Sequence, residues 1–293
     1  MSTPGNNRRH WELWISVLPF ALLLVLFLIG PMVLTPLLTF QETKLYQLRW
    51  TWSFDTWSTV LSNPTYSAVL LRTVWTALLS TIVCVVVAYP VAYALNTRLA
   101  AWSNQVQILI IFAFLTDAVL KTFGWVLFLD VHGVGNWLLQ KLGFGPGATN
   151  ILFTPKAAML GIVYNLAPYP IFTIYLSLAR IDPDLKHAAY DAGASKLRTF
   201  LQITLPLSLP GAIAGALLVF VLSLGTFLES KVLGGGTKPL ASELIRQTFE
   251  TRVNWPLGAA LTFSLVLVAL AALLGLVMIG SRLRIGAAGR ETS

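Results

Sequence analysis

The sequence predicts an all-α membrane protein with about six transmembrane helices. Composition is the first reason. The 293 residues are 56% hydrophobic and 11% charged, with a mean hydropathy of +0.73. A soluble domain carries about 25% charged residues. So few charges cannot cover a water-facing surface, which excludes a soluble enzyme or a nucleic-acid-binding domain. Length of the apolar runs is the second reason. Six segments supply the roughly 20 apolar residues that a helix needs to cross a hydrocarbon core of about 30 Å. The third is where the charges fall. Five of the six segments carry none, and the net charge of +8 gathers between them.

The spans follow in order. Segment 13–34 comes after Arg8 and Arg9. Its apolar run is too long for a signal peptide and no small-x-small site ends it, so a retained helix is expected. Segments 73–95, 106–129, 157–179, 207–228 and 256–280 complete the set. Pro19, Pro31, Pro90, Pro168 and Pro170 lie within spans. Each lacks a backbone donor and bends its helix, which neighbouring helices tolerate. Six spans put both termini on one side. Segments 1–12, 96–105, 179–206 and 281–293 hold ten Lys and Arg, against eight in the longer loops 39–66, 130–156 and 231–256. The positive-inside rule then places the termini in the cytoplasm. The expected organisation is a cytoplasmic N-terminus over 1–12, a membrane domain over 13–280 and a cytoplasmic tail over 281–293. The opposite loops hold turn-rich stretches at 143–147 and 234–236.

Several chemistries have no residues to support them. There is no phosphate-cradling G-x-x-x-x-G-K-[ST] loop and no H-E-x-x-H zinc helix. Cys84 is the one cysteine, and His10, His132 and His187 are scattered. Neither a disulfide framework nor a metal site is expected. Polar groups do not converge in the spans as a membrane enzyme would require. Transport is the better reading, driven either by an ion gradient, as in a secondary transporter, or by a partner protein.

The inner loop 180–206 is the most informative segment. Asp182 before Pro183 is an N-cap followed by proline at the first helical position. The helix that follows sets Leu185, Ala188, Ala189 and Ala192 on one face. Gly193 suits a left-handed C-cap. Ser195 caps a second helix carrying Leu197, Phe200 and Leu201, which Pro206 is expected to end. Two small alanines let another protein approach the backbone closely. An amphipathic hairpin lying on lipid headgroups is the other reading of the same spacing.

His187-Ala188-Ala189, three residues, Gly193, nine residues, Ile203, one residue and Leu205-Pro206 resemble the EAA motif of ABC importer permeases, E-A-A-x₃-G-x₉-I-x-L-P. His187 stands where that family has glutamate, and Asp191 or Asp184 is a candidate for the missing acid. Phe114-Leu115-Thr116-Asp117 through Lys121-Thr122-Phe123-Gly124-Trp125 is similar to spermidine/putrescine-type permeases. So are Phe153-Thr154-Pro155 and Trp255-Pro256-Leu257-Gly258-Ala259-Ala260. The resemblance covers most of 70–280. It implies a type I importer fold in the bacterial inner membrane, with two permease subunits, expected to be a hetero-dimer. It also implies two cytoplasmic ABC ATPases and a periplasmic solute-binding protein. The loop would be the coupling helix that docks in an ATPase groove through His187, Ala188, Ala189, Asp191, Gly193, Ile203, Leu205 and Pro206. No cofactor is expected on this chain, since ATP and Mg would sit on the partner ATPase. Polyamines or related organic solutes are the expected cargo.

Asp117 and Lys121 stand one helical turn apart inside the third segment. Ionisable groups there mark a pathway or pair with each other. They are read as a structural ion pair or as pathway residues. Glu229 and Arg72 are expected at the membrane interface. Asp117, Glu229, Trp125 and Tyr164 are the candidates to face a cationic cargo through carboxylates and aromatic faces.

Overall fold

The structure is a computed structural model, describing residues 17–44, 47–49, 51–99, 102–145 and 151–288. Arg8, Arg9, the rest of 1–12, residues 146–147 of the turn-rich loop and the last five residues of the tail lie outside the described residues. The helices are α1 (Val17–Leu38), α2 (Asp55–Ser62), α3 (Pro64–Asn96), α4 (Ser103–Leu115), α5 (Ala118–Leu129), α6 (Val134–Lys141), α7 (Pro155–Leu166), α8 (Pro168–Ala179), α9 (Pro183–Asp191), α10 (Lys196–Gly225), α11 (Leu228–Val232), α12 (Ala241–Glu250) and α13 (Trp255–Ala288). Among the described residues, α1, α3, α10 and α13 are each long and apolar enough to cross a membrane. The pairs α4/α5 and α7/α8 bend by 94° and 40°, and counting each as one span gives six.

The chain forms two compact units. The first comprises residues 1–67 and 245–264. Strands β1 (Glu42–Lys44) and β2 (Gln47–Arg49) pair antiparallel there, with Glu42 opposite Arg49. Beside them Trp57 Nε1 donates to Thr39 Oγ1 at 3.1 Å. The Phe40 ring lies 5.4 Å from Phe54 and 5.8 Å from Trp52.

The second unit comprises residues 68–244 and 265–293. Its core interleaves α3, α8 and α10 through Ala88, Ala92, Ile174, Leu178 and Ala212. In bilayers, small residues rather than bulk hydrophobicity draw helices together. Gly211 and Gly215 of α10 show this. A Cβ at Gly211 would stand 2.5 Å from the carbonyl of Thr173, and one at Gly215 2.8 Å from Cα of Pro170. Only glycine lets α10 lie this close to α8.

Pro206 does not end its helix as expected, and a π-turn precedes it as one precedes Pro31. In α1 the turn Val25–Ile29 widens to a π-turn, closed by Gly30 N donating to Val25 O, and Pro31 follows. In α10 the turn Phe200–Thr204 widens likewise, closed by Leu205 N donating to Phe200 O, and Pro206 follows. The ring of a helical proline collides with the carbonyl four residues back. One extra residue in the turn relieves that clash. Pro206 is therefore passed through, and the second helix of the inner loop is the start of the fifth span.

Arg72 follows the start of the second span instead of preceding it. The second span begins at Pro64, so Arg72 is inside α3. It is half-buried, and its Nη2 donates to Pro239 O at 2.5 Å.

Candidate functional site

Three spans break at one place. α4 stops at Leu115, Thr116 is extended, and Asp117 opens α5. α7 gives way to α8 at Ala167 before Pro168. α10 stops at Gly225, Thr226 is extended, and α11 starts at Leu228. Residues from all three breaks line one cavity of 610 Å³, among them Thr116, Asp117, Asn165, Tyr169, Thr226 and Glu229. Helix breaks at membrane depth expose backbone dipoles and are tolerated where they line a cavity.

The break at Asp117 overturns the continuous helix expected over 106–129, and with it the ion pair. Asp117 Oδ1 accepts from Val119 N at 2.7 Å, capping α5. Lys121 also lines the cavity but turns back across the break, donating from Nζ to Ala113 O at 3.1 Å. The two side chains make no ion pair within 4 Å, because the helix starts at Asp117 rather than running through it.

Glu229 is packed inside protein. It is 4% exposed, and its Oε1 accepts from Asn165 Nδ2 at 2.7 Å. Its neighbour Ser230 donates from Oγ to Glu243 Oε2 at 3.1 Å and accepts from Leu240 N at 3.3 Å. Glu243 is 1% exposed. Two carboxyl groups are thus buried inside protein with hydrogen-bond partners, which offsets the cost of taking them out of water. No motif in the sequence singles out Asn165 or Glu243. The single amide in the apolar stretch before Pro168 was the available signal for Asn165.

Trp125 and Tyr164 stack edge to face with centroids 5.4 Å apart. They line a neighbouring cavity of 270 Å³ that also includes Lys121. The structure therefore brings Asp117, Lys121 and Glu229 together, and places Trp125 and Tyr164 in an adjoining chamber.

The inner loop folds by its local signals. Asp182 Oδ1 accepts from Asp184 N at 3.0 Å. Gly193 takes φ +80°, with Gly193 N bonded to Tyr190 O and Ala194 N to Ala189 O, both at 2.9 Å. That pairing is a Schellman cap. Ser195 Oγ accepts from Arg198 N at 3.3 Å, starting α10. No residue of α9 is buried, so His187, Ala188 and Asp191 project outward. Ile203, Leu205 and Pro206 lie instead at the π-turn of α10. There Phe200 meets the rings of Tyr93 at 5.3 Å and Tyr89 at 5.9 Å, fixing the loop to α3. The same 30-residue helix ends at the cavity. At 1.5 Å per residue it is a strut of about 45 Å between the exposed loop and the helix breaks.

The comparisons agree with this architecture. The family described as binding-protein-dependent transport system inner membrane component matches residues 12–285. The spermidine/putrescine transport system permease protein PotB of Escherichia coli (strain K12) is 37% identical over 210 residues, covering 72% of this chain and 76% of the relative. PotB of Salmonella typhimurium (strain LT2) is 34% identical over 248 residues, covering 84% and 85%. Among solved structures, a bacterial alginate ABC transporter in complex with alginate pentasaccharide-bound periplasmic protein gives a TM-score of 0.74 at 19% identity, covering 94% of this chain and 96% of that one. The MetNI methionine ABC transporter gives 0.53 at 16%, covering 77% and 99%. At such identities the likeness is one of fold. With the family matched over nearly its whole length and relatives above 30% identity, the chain belongs to the inner-membrane permease family of binding-protein-dependent ABC importers.

Proposed function

We propose that this permease carries polyamines, such as spermidine or putrescine, and that ATP hydrolysis on a partner subunit drives it through the loop 180–206. The observation that carries the cargo class is the cavity at the three helix breaks. It presents the carboxylates of Asp117 and Glu229 and the ring of Tyr169. A carboxylate inside the membrane is costly unless it serves a function. Two of them with an aromatic face suit alkylammonium groups. The named function of the PotB relatives supports the same class.

Coupling follows from the strut. In this reading α9 docks in a groove of an ABC ATPase through Ala188, Ala189 and the turn at Gly193, with His187 and Asp191 at the rim. Ile203, Leu205 and Pro206 transmit the movement into α10. ATP and Mg bind the ATPase. A second, different permease subunit completes the pathway, and a periplasmic solute-binding protein delivers cargo. The segments 1–12 and 281–293 lie in the cytoplasm.

The test is uptake in proteoliposomes holding the chain with its ATPase, second permease and binding protein. Labelled spermidine is expected to enter only with ATP, and unlabelled putrescine to compete while methionine and alginate oligosaccharide do not. Gradient-driven uptake by the chain without an ATPase would instead establish a secondary transporter.

A further inference from the structure

A second polar feature runs along α3 and α7 and borders the Trp125/Tyr164 chamber at one end. One cavity of 340 Å³ is lined by Arg72, Lys156 and Lys238 together with Trp75, Leu79 and Met159. Another, of 450 Å³, is lined by Val83, Val87, Met159 and Val163, again by Lys156, and at its far end by Trp125 and Tyr164. Because Lys156 and Met159 belong to both, the two form one groove between the helices. From Arg72 to Val87 it runs about 22 Å at 1.5 Å per residue. One leaflet contributes about 15 Å of hydrocarbon.

The groove is graded along its length. Its cations gather at one end. Lys156 is in the first turn of α7, Lys238 is in the segment before α12, and Arg72 is two turns into α3. No carboxylate lines either cavity, and none of the three cations has an ion-pair partner among the described residues. Arg72 donates to Pro239 O through Nη2, while its Nε is buried with no partner. Beside this end Trp75 is 66% exposed, as aromatic residues are at the headgroup level. Beyond it the α3 wall is Leu79, Val83 and Val87, without charge.

We infer that this groove binds an anionic phospholipid, with its phosphate on Arg72, Lys156 and Lys238 and an acyl chain lying along α3 and α7. The uncompensated charge at the headgroup end and the apolar remainder match the two halves of one lipid. A protein segment would have to bring several carboxylates to the first half and none to the second.

The experiment reconstitutes the full chain in phosphatidylcholine bilayers with and without phosphatidylglycerol, and counts retained phosphatidylglycerol by native mass spectrometry. Lys156→Gln and Lys238→Gln are used because both residues are exposed and bear on no core. Each basic group near an anionic lipid is worth about a fivefold preference. The wild type is expected to retain phosphatidylglycerol over phosphatidylcholine, each variant to lose roughly fivefold of that preference, and Lys141→Gln, at the end of α6, to lose none. Glycerophosphoglycerol, the headgroup without tails, should not displace the lipid. Equal loss in Lys141→Gln, no preference in the wild type, displacement by the free headgroup, or cross-linking of position 156 to the second permease in place of lipid would each overturn the proposal.

Discussion

Asn165 Nδ2 donates to Glu229 Oε1 across 2.7 Å, joining the end of α7 to the short helix α11. Both residues are at least nine-tenths buried. The bond keeps a carboxylate inside protein at the point where two spans break. Removing the amide leaves that carboxylate without this donor. Asn165→Ala is therefore expected to cost about 1–3 kcal/mol of stability. Thermal unfolding of the purified protein in detergent checks this, and an unchanged midpoint would contradict it.

Asp117 combines a cap and a charge, and two substitutions separate them. Asp117→Asn keeps an oxygen for Val119 N and should leave stability within a few tenths of a kcal/mol. Asp117→Ala removes the cap and should cost about 1 kcal/mol. Both remove a negative charge from the cavity, so both are expected to weaken spermidine uptake. Thermal unfolding and uptake, measured side by side on the two variants, give the comparison.

Gly193 holds φ +80° with open space around its Cβ position. Gly193→Val therefore acts through backbone strain of about 1–2 kcal/mol and not through collision. The Schellman cap should open and re-aim α9. Uptake is expected to be lost while the protein stays in the membrane at normal amount, which immunoblotting of membranes would establish. Ala189→Trp, which changes the surface of α9 and not its turn, should give the same loss.

Pro206 keeps the π-turn Phe200–Thr204 open. Pro206→Ala restores an N–H and removes the ring, so thermal stability should hold or rise. If the turn closes by one residue, the loop rotates by about 100° relative to the rest of α10. Uptake is expected to fall in a protein that is no less stable, and preserved uptake would count against the strut.

The inner loop was legible because its signals are local. Asp182-Pro183, Gly193 and Ser195 each act on backbone groups within a few residues, and each cap formed as the residue types indicate. The six apolar segments were legible for a related reason, since apolar length alone marks them, and four unbroken helices and two bent pairs occupy them among the described residues. The break at Asp117 was written in the same alphabet, as Thr-Asp before an apolar run. It is hidden because the apolar stretch on either side reads as one helix. Pro206 looked like a stop because the π-turn that absorbs it leaves no mark of its own. The burial of Glu229 depends on Asn165, 64 residues earlier, and the close packing of α10 depends on Thr173 and Pro170 meeting Gly211 and Gly215. Such long-range partners are set by the assembled bundle, so no local pattern announces them.

The most direct test of the account is ATP-dependent spermidine uptake by the complete importer carrying Glu229→Gln. The amide keeps the size of the side chain and a partner for Asn165, so the complex should assemble normally. A hydrogen bond to a charged group is worth about 1.5–3 kcal/mol, and its loss predicts a fall in spermidine uptake of roughly tenfold or more, with ATP hydrolysis by the partner retained. Uptake equal to that of the wild type would contradict a role for the cavity in holding cationic cargo.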